Sequence, residues 1–236
     1  MGTLINTGAI IVATFLGILF KKGLPDKIQK AIMFTLGLGL VALSLGWFIK
    51  DFIVIENDVI STRMDLLIII SLVIGVVIGE WIDIDQRLTD LAFKVEKKYK
   101  LPPLAKGFIT ATLIFCVGAM AITGAIQDGL GLGMTTLLIK STLDFITAMV
   151  LASFLGIGVL FSAFSVLIYQ GSIYLLARYL SEMMTDQMIV SMSMIGSIIL
   201  IGIGINFMEI KKIKVANLLP ALLIPIIYEV VLMLFK

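Results

Sequence analysis

Residues 65–82 read DLLIIISLVIGVVIGEWI, an apolar run of isoleucine, valine and leucine interrupted by Ser71, Gly75 and Gly79, with no charge between Asp65 and Glu80. A bilayer core takes about 20 apolar residues of α-helix, and in lipid a helix is what satisfies its own backbone. The run is therefore read as a membrane span. Working outward, seven more apolar runs bounded by charged residues, glycine or proline fall near 3–20, 31–49, 107–126, 137–155, 157–177, 188–208 and 217–235.

The whole composition agrees. Of 236 residues 60% are hydrophobic and 14% charged, against roughly a quarter charged in soluble domains. The mean hydropathy is +1.13. The expected fold is an all-α integral membrane protein, a polytopic bundle of about eight transmembrane helices. The first run, followed by Lys21 and Lys22 rather than preceded by a basic segment, is expected to stay as a span and not to be cleaved.

Basic residues choose an orientation. With eight spans, Lys21, Lys22, Lys27, Lys30, Arg87, Lys94, Lys97, Lys98, Lys100, Lys106, Lys211, Lys212 and Lys214 share one side, and Lys50, Arg63, Arg178 and Lys236 share the other. The richer side is read as cytoplasmic, in a plasma (inner) membrane, with both termini outside. The fifth and sixth runs meet at SFLGIG, residues 153–158, without a charge between them. Merging them would move the last basic loop across the membrane, so the count favours two spans.

The chain is expected to be one transmembrane domain, 1–236. Segment 83–106 sets Leu88, Leu91, Ala92 and Val95 at helical spacing among charges and ends at Pro102–Pro103. It reads either as an amphipathic helix on the inner leaflet or as a plain cytoplasmic linker. Spans one, three and seven share an isoleucine-rich pattern with late glycines, and span two ends in GWFIKD where span four ends in GAIQDG. A duplicated hairpin is expected, with repeat halves 1–126 and 127–236.

Polar groups retained in lipid are costly, about 2.5–3.5 kcal/mol for a central charge on insertion scales, and so point to function. The richest stretch is GAIQDGLGLGMTTLLIKSTLDF, residues 124–145. Its glycines form either a plain turn or a re-entrant piece. Lys140 and Asp144 stand one helical turn apart on span five. Lys140 alone reads as a snorkelling anchor, but Asp144 is deeper, and the pair is either a structural salt bridge or a coupling site. Gln170 lies in span six beside Gly171, and Glu229 in span eight beyond Pro220 and Pro225. Asp128, Lys140, Asp144 and Gln170 are expected to converge on a solute or ion. Glu80, Asn206 and Asn217, near the other helix ends, read as interfacial or capping groups. The thirteen methionines read as packing hydrophobes.

The runs FCVGAMAITGAIQDGLGLG, LIKSTLDFITAMVLASFLGIGVLFSAFSVLIYQGSI and IGIGINFMEIKKIKVANLLPAL, with the opening NTGAI and the IGEWIDI of span three, closely resemble a prokaryotic family, domain of unknown function 554. The resemblance covers nearly the whole chain and implies a multi-span plasma-membrane protein. The matching residues are Asp128, Lys140, Ser141, Asp144, Gln170 and Asn217, and the resemblance gives none of them a role.

The expected function is a small secondary transporter or exporter of a solute or ion, since the chain holds intramembrane polar groups and no nucleotide-binding loop. The alternative is a scaffold or sensor subunit acting through its basic linker. An enzyme is not expected: there is no histidine, and two aspartates sixteen residues apart, Asp128 and Asp144, carry no protease signature. No cofactor and no metal are expected. The partners expected are membrane lipids, the solute and a second copy in a homodimer, with no nucleic acid.

Overall fold

The computed structural model describes residues 1–21, 25–56, 59–99, 103–116, 119–179 and 185–234. Among the described residues seven helices are long and apolar enough to cross a bilayer, and a bent helix pair makes an eighth candidate. The chain is an all-α polytopic membrane protein. Its helices fall into two compact units that interleave in sequence: Met1–Ala31 with Gln86–Glu182, and Ile32–Asp85 with Met183–Lys236. Each unit thus draws on both 1–126 and 127–236.

The first unit holds α1 (Gly2–Lys21), α5 (Ala105–Cys116), α6 (Ala119–Gly129), α7 (Thr135–Leu155) and α8 (Gly158–Leu175). One face of α1 is buried at Thr3, Asn6, Ile10, Ala13 and Gly17, a spacing of three and four residues that forms a single stripe. That stripe runs along α7. A Cβ on Gly2 would lie 2.7 Å from Leu137 Cβ, and one on Gly17 would collide with the Met149 carbonyl and lie 2.9 Å from Ala152 Cβ. The offset between Gly2 and Leu137 equals that between Gly17 and Ala152, so the two helices run parallel and in register.

The helices α5 and α6 form a bent pair at 63° to each other; residues 117 and 118 lie outside the described residues. The course of the pair is fixed by α8. At one end a Cβ on Gly107 would sit 3.1 Å from Val159 N, beside the first turn of α8. At the other, a Cβ on Gly129 would press on the Tyr174 carbonyl and Ala177, at its last turn. The pair covers the whole length of α8 and is a broken span, not a loop that returns to its own side.

The two places where the sequence left alternatives are both turns. Gly156 has φ of 73° and caps α7, so spans five and six are separate helices. Between α6 and α7, Gly131 and Gly133 take φ of 74° and 119°, conformations that cost a side chain energy and glycine almost nothing. The glycine-rich stretch is a tight turn, closed by the Leu132 N–H on the Gln127 carbonyl.

The second unit holds most of α2 (Asp26–Phe52), α3 (Asp65–Ile82), α9 (Asp186–Phe207), a 3-10 segment (Val215–Leu223) and α10 (Ile224–Leu234). Between α2 and α3 stands an antiparallel hairpin, β1 (Ile53–Glu56) and β2 (Val59–Thr62), that the hydropathy reading missed. Span eight is not one α-helix. Pro220 lacks the N–H an α-turn needs, and Pro225 removes another one turn on, so the first half winds as 3-10. Gly75 admits Ala221 and Gly79 admits the backbone of Asn217, which seats that segment against α3. Gly37 and Gly204 let α2 and α9 touch at backbone distance.

The linker contains α4 (Ile84–Tyr99). Leu88 on it is half-buried. The side chains of Leu91, Ala92 and Val95, and Pro102 altogether, lie outside what is described.

Candidate functional site

The buried charges of the first unit sit on α7. Lys140 begins its second turn and Asp144 follows one turn later, about 14 Å from the start of the helix at 1.5 Å per residue. The Lys140 ammonium donates to both carboxylate oxygens of Asp144, at 2.9 and 2.7 Å. Lys140 is 7% exposed and Asp144 5%. Lys140 therefore does not snorkel. Removing one partner would strand the other charge in a medium that cannot solvate it.

Two amides complete the cluster from neighbouring helices. Asn6 Nδ2, on α1, donates to Asp144 Oδ2 at 2.9 Å and to Gln170 Oε1, on α8, at 3.3 Å. Both amides have no exposed surface. The parallel register of α1 and α7 places Asn6 beside the pair, and the return of α8 brings Gln170 to the same level. The helix α5, which ends at Cys116, packs against α7, the helix that carries the charge pair.

Of the four residues expected to converge, Lys140, Asp144 and Gln170 do. Asp128 does not join them. At the end of α6 it accepts the Gly2 N–H at 2.8 Å and the α-amino group at 2.8 Å. It caps α1, putting negative charge at the positive end of the helix dipole. Asn6 was missed, although it is the amide of the NTGAI opening and lies on the buried stripe of α1.

Beyond Asn6 the stripe of α1 continues with Ile10, Ala13 and Gly17, all without polar side chains, and the neighbouring Thr14 hydroxyl is closed on the Ile10 carbonyl at 2.7 Å. On α1, α6 and α7 the polar column reaches from Asp128 and Thr3 to Asp144.

In the second unit the polar residues tie off backbone. Asn206 gives Nδ2 to the Ile213 carbonyl at 2.8 Å and takes the Ile213 N–H at 2.7 Å, closing the turn between α9 and the 3-10 segment. Asn217 donates to Glu80 at 2.9 Å and accepts the Asp85 N–H at 2.8 Å, which caps α4. Lys214 reaches Asp83 at 3.1 Å and Glu80 at 3.6 Å. The hydrogen bond to Asp83 raises the Lys214 pKa above its ordinary value, with the charges of Asp83 and Glu80 adding to it and desolvation opposing. Glu229 is buried on α10. Among the described residues no three His, Cys, Asp or Glu side chains gather as a metal site.

Comparison with known proteins places these features. The chain is 36% identical over 224 residues to the uncharacterized membrane protein YdfK of Bacillus subtilis, covering 95% of this chain and 93% of that one. It is 27% identical over 231 residues to the uncharacterized protein YqgA of Escherichia coli, covering 95% and 94%. No solved structure matches it. The family model described as protein of unknown function DUF554 matches residues 1–230, and the chain belongs to that family.

Proposed function

We propose that this protein is a small secondary transporter or exporter of a polar solute or ion in a prokaryotic plasma membrane, with Asp144 as the group that carries the coupling proton or cation. One observation carries the reading: a buried Lys140–Asp144 pair takes a hydrogen bond from Asn6 of a second helix, which in turn bonds Gln170 of a third, in a unit that also holds the bent helix pair. A purely structural ion pair gains little over well-packed apolar side chains. Broken spans beside buried polar groups are the way secondary transporters build sites near the bilayer midplane.

In this reading Lys140 sets the charge balance of Asp144. When Asp144 takes up a proton or cation, the ammonium loses its partner and the cluster must rearrange. That rearrangement is the step coupled to solute movement. The groups bonded around Asp144 are Lys140 from α7, Asn6 from α1 and Gln170 by way of Asn6. The positive-inside count, which puts the α1 N-terminus outside, makes the polar column the external approach.

The test is flux into proteoliposomes loaded with a pH-sensitive dye, with an imposed pH gradient and candidate solutes added outside. The parent is expected to couple solute addition to proton movement and Asp144→Asn to lose the coupling. Equal coupling in both would remove Asp144 from the mechanism. A protein that moves nothing but co-purifies with a partner through Lys94, Lys97 and Lys98 would favour a scaffold role for α4.

A further inference from the structure

Two hydrogen-bonding groups in the middle of the charge cluster have nothing to bond. Asn6 and Gln170 are both wholly enclosed, yet Asn6 Oδ1 and Gln170 Nε2 have no partner. Thr3 Oγ1, one turn earlier on the same face of α1, has none either. Buried polar atoms left unmet cost their full desolvation, and three in one column need a reason.

The network fixes which way the amides point. A carboxylate paired with an ammonium only accepts, so the Asn6 atom 2.9 Å from Asp144 is the nitrogen. The Gln170 atom 3.3 Å from that nitrogen must accept, so it is the oxygen. What is left over is one carbonyl oxygen and one NH2 group, a free acceptor and a free donor. The oxygen and nitrogen of an amide are about 2.2 Å apart, so from a near-end separation of 3.3 Å the two free atoms lie within about 8 Å of each other. One small molecule spans that.

We infer that Asn6 and Gln170 bind a solute that is uncharged overall and carries a donor and an acceptor a few bonds apart, as a small amide, alcohol or zwitterion does. The inference rests on the transport reading and names the class of solute for the same site. Charge decides it. Lys140 and Asp144 neutralise each other through both carboxylate oxygens, so the cluster has no net charge to offer. A bare cation would find one carbonyl oxygen and be repelled by the Gln170 NH2. An anion would find that NH2 and be repelled by Asn6 Oδ1. Either would lose its hydration with no counter-charge in exchange. A molecule with both functions satisfies both atoms.

The measurement is thermal unfolding of the purified full chain in detergent, with acetamide, glycine and ethylene glycol as uncharged probes against sodium, chloride, acetate and methylammonium, all at millimolar concentration so that bulk solvent effects stay small. An uncharged probe is expected to raise the midpoint, and Asn6→Leu and Gln170→Met each to weaken its apparent binding about tenfold or more. Gln170→Glu keeps the size and replaces the donor by an acceptor, so it is expected to lose glycine and gain methylammonium. Stabilisation by the charged probes alone, no shift from any uncharged probe, or shifts that persist in the variants would each overturn the inference. So would a Gln170→Met protein more stable than the parent with no probe effect, which would mean the amide holds nothing but water. Failure here leaves the Asp144 flux experiment standing. Binding of an uncharged probe without any flux would sink the transport reading and leave the site.

Discussion

Asn6 Nδ2 on α1 donates to Asp144 Oδ2 on α7 at 2.9 Å, across 138 positions of sequence. The bond exists because the two helices run parallel with a constant offset, held at one end by Gly2 against Leu137 and at the other by Gly17 against Met149 and Ala152. Where α1 gives up side chains it lets α7 approach. Between those two points the same face carries an amide instead of a methyl. The charge pair is therefore positioned by a second helix and cannot be described from α7 alone.

Breaking the pair on one side should be worse than removing it. Lys140→Met leaves the Asp144 carboxylate with Asn6 as its main support, and an uncompensated buried charge costs about 3–5 kcal/mol. Lys140→Met with Asp144→Leu should recover most of that, measured as unfolding in detergent. Destabilisation that simply adds in the double variant would mean the two side chains do not act as a pair.

Glycine packing gives a sharper contrast in the second unit. A Cβ on Gly79 would run into the Asn217 carbonyl, whereas one on Gly39 would meet nothing within 4 Å. Gly79→Ala should therefore cost about 1–3 kcal/mol by forcing the 3-10 segment off α3, and Gly39→Ala should unfold near the parent. Equal midpoints for the two would show that α3 and the 3-10 segment are not packed this closely.

The spans were legible because hydropathy over twenty residues needs no tertiary knowledge, and the Lys140–Asp144 pair because four residues is one turn. Gln170 could be matched to that pair by depth. Asn6 could not: an amide near the start of a chain reads as a helix-end residue until the α1–α7 register is known. Its signal was present in Thr3, Asn6, Ile10, Ala13 and Gly17, a stripe too small and polar for a lipid-facing surface. Asp128 was grouped with the site because it was close in sequence, but the turn at Gly131 and Gly133 leaves it at the helix end, where the first N–H of α1 claims it. The hairpin at 53–62 was hidden because it lies in the connection between the second and third apolar runs, to which hydropathy assigns no structure.

Lys214 titrates in the opposite sense to an acid. Its pKa is raised chiefly by the Asp83 hydrogen bond, so its contribution is fully present below the unfolded-chain value and is lost as pH rises through the higher folded value. The difference in unfolding midpoint between the parent and Lys214→Met should stay constant through neutral pH and shrink only above about pH 10.4, the ordinary lysine value. It should also weaken with salt, since the contact is exposed. A difference that changes between pH 6 and pH 8, about two units around neutrality, would assign the effect to another group.

Asp128 and Asp144 separate structure from mechanism. Asp128→Ala removes a cap from α1, which is worth about 1 kcal/mol; the partners of its carboxylate are the Gly2 N–H and the α-amino group, away from the cluster around Lys140. The variant should fold less stably and still show the parent's pH dependence of flux. Asp144→Asn keeps the size of the side chain and removes the charge; it strands the Lys140 ammonium and costs stability as Lys140→Met does, so its flux is read on the folded fraction, where that dependence should be lost. The two carboxylates differ in where they sit: Asp128 binds the first N–H of α1 and an exposed α-amino group, while Asp144 is enclosed with an ammonium whose pairing ends when a proton arrives. If Asp128→Ala abolished the pH dependence and Asp144→Asn preserved it, the coupling group would be at the cap, and the enclosed pair would be only a fastening between α1, α7 and α8.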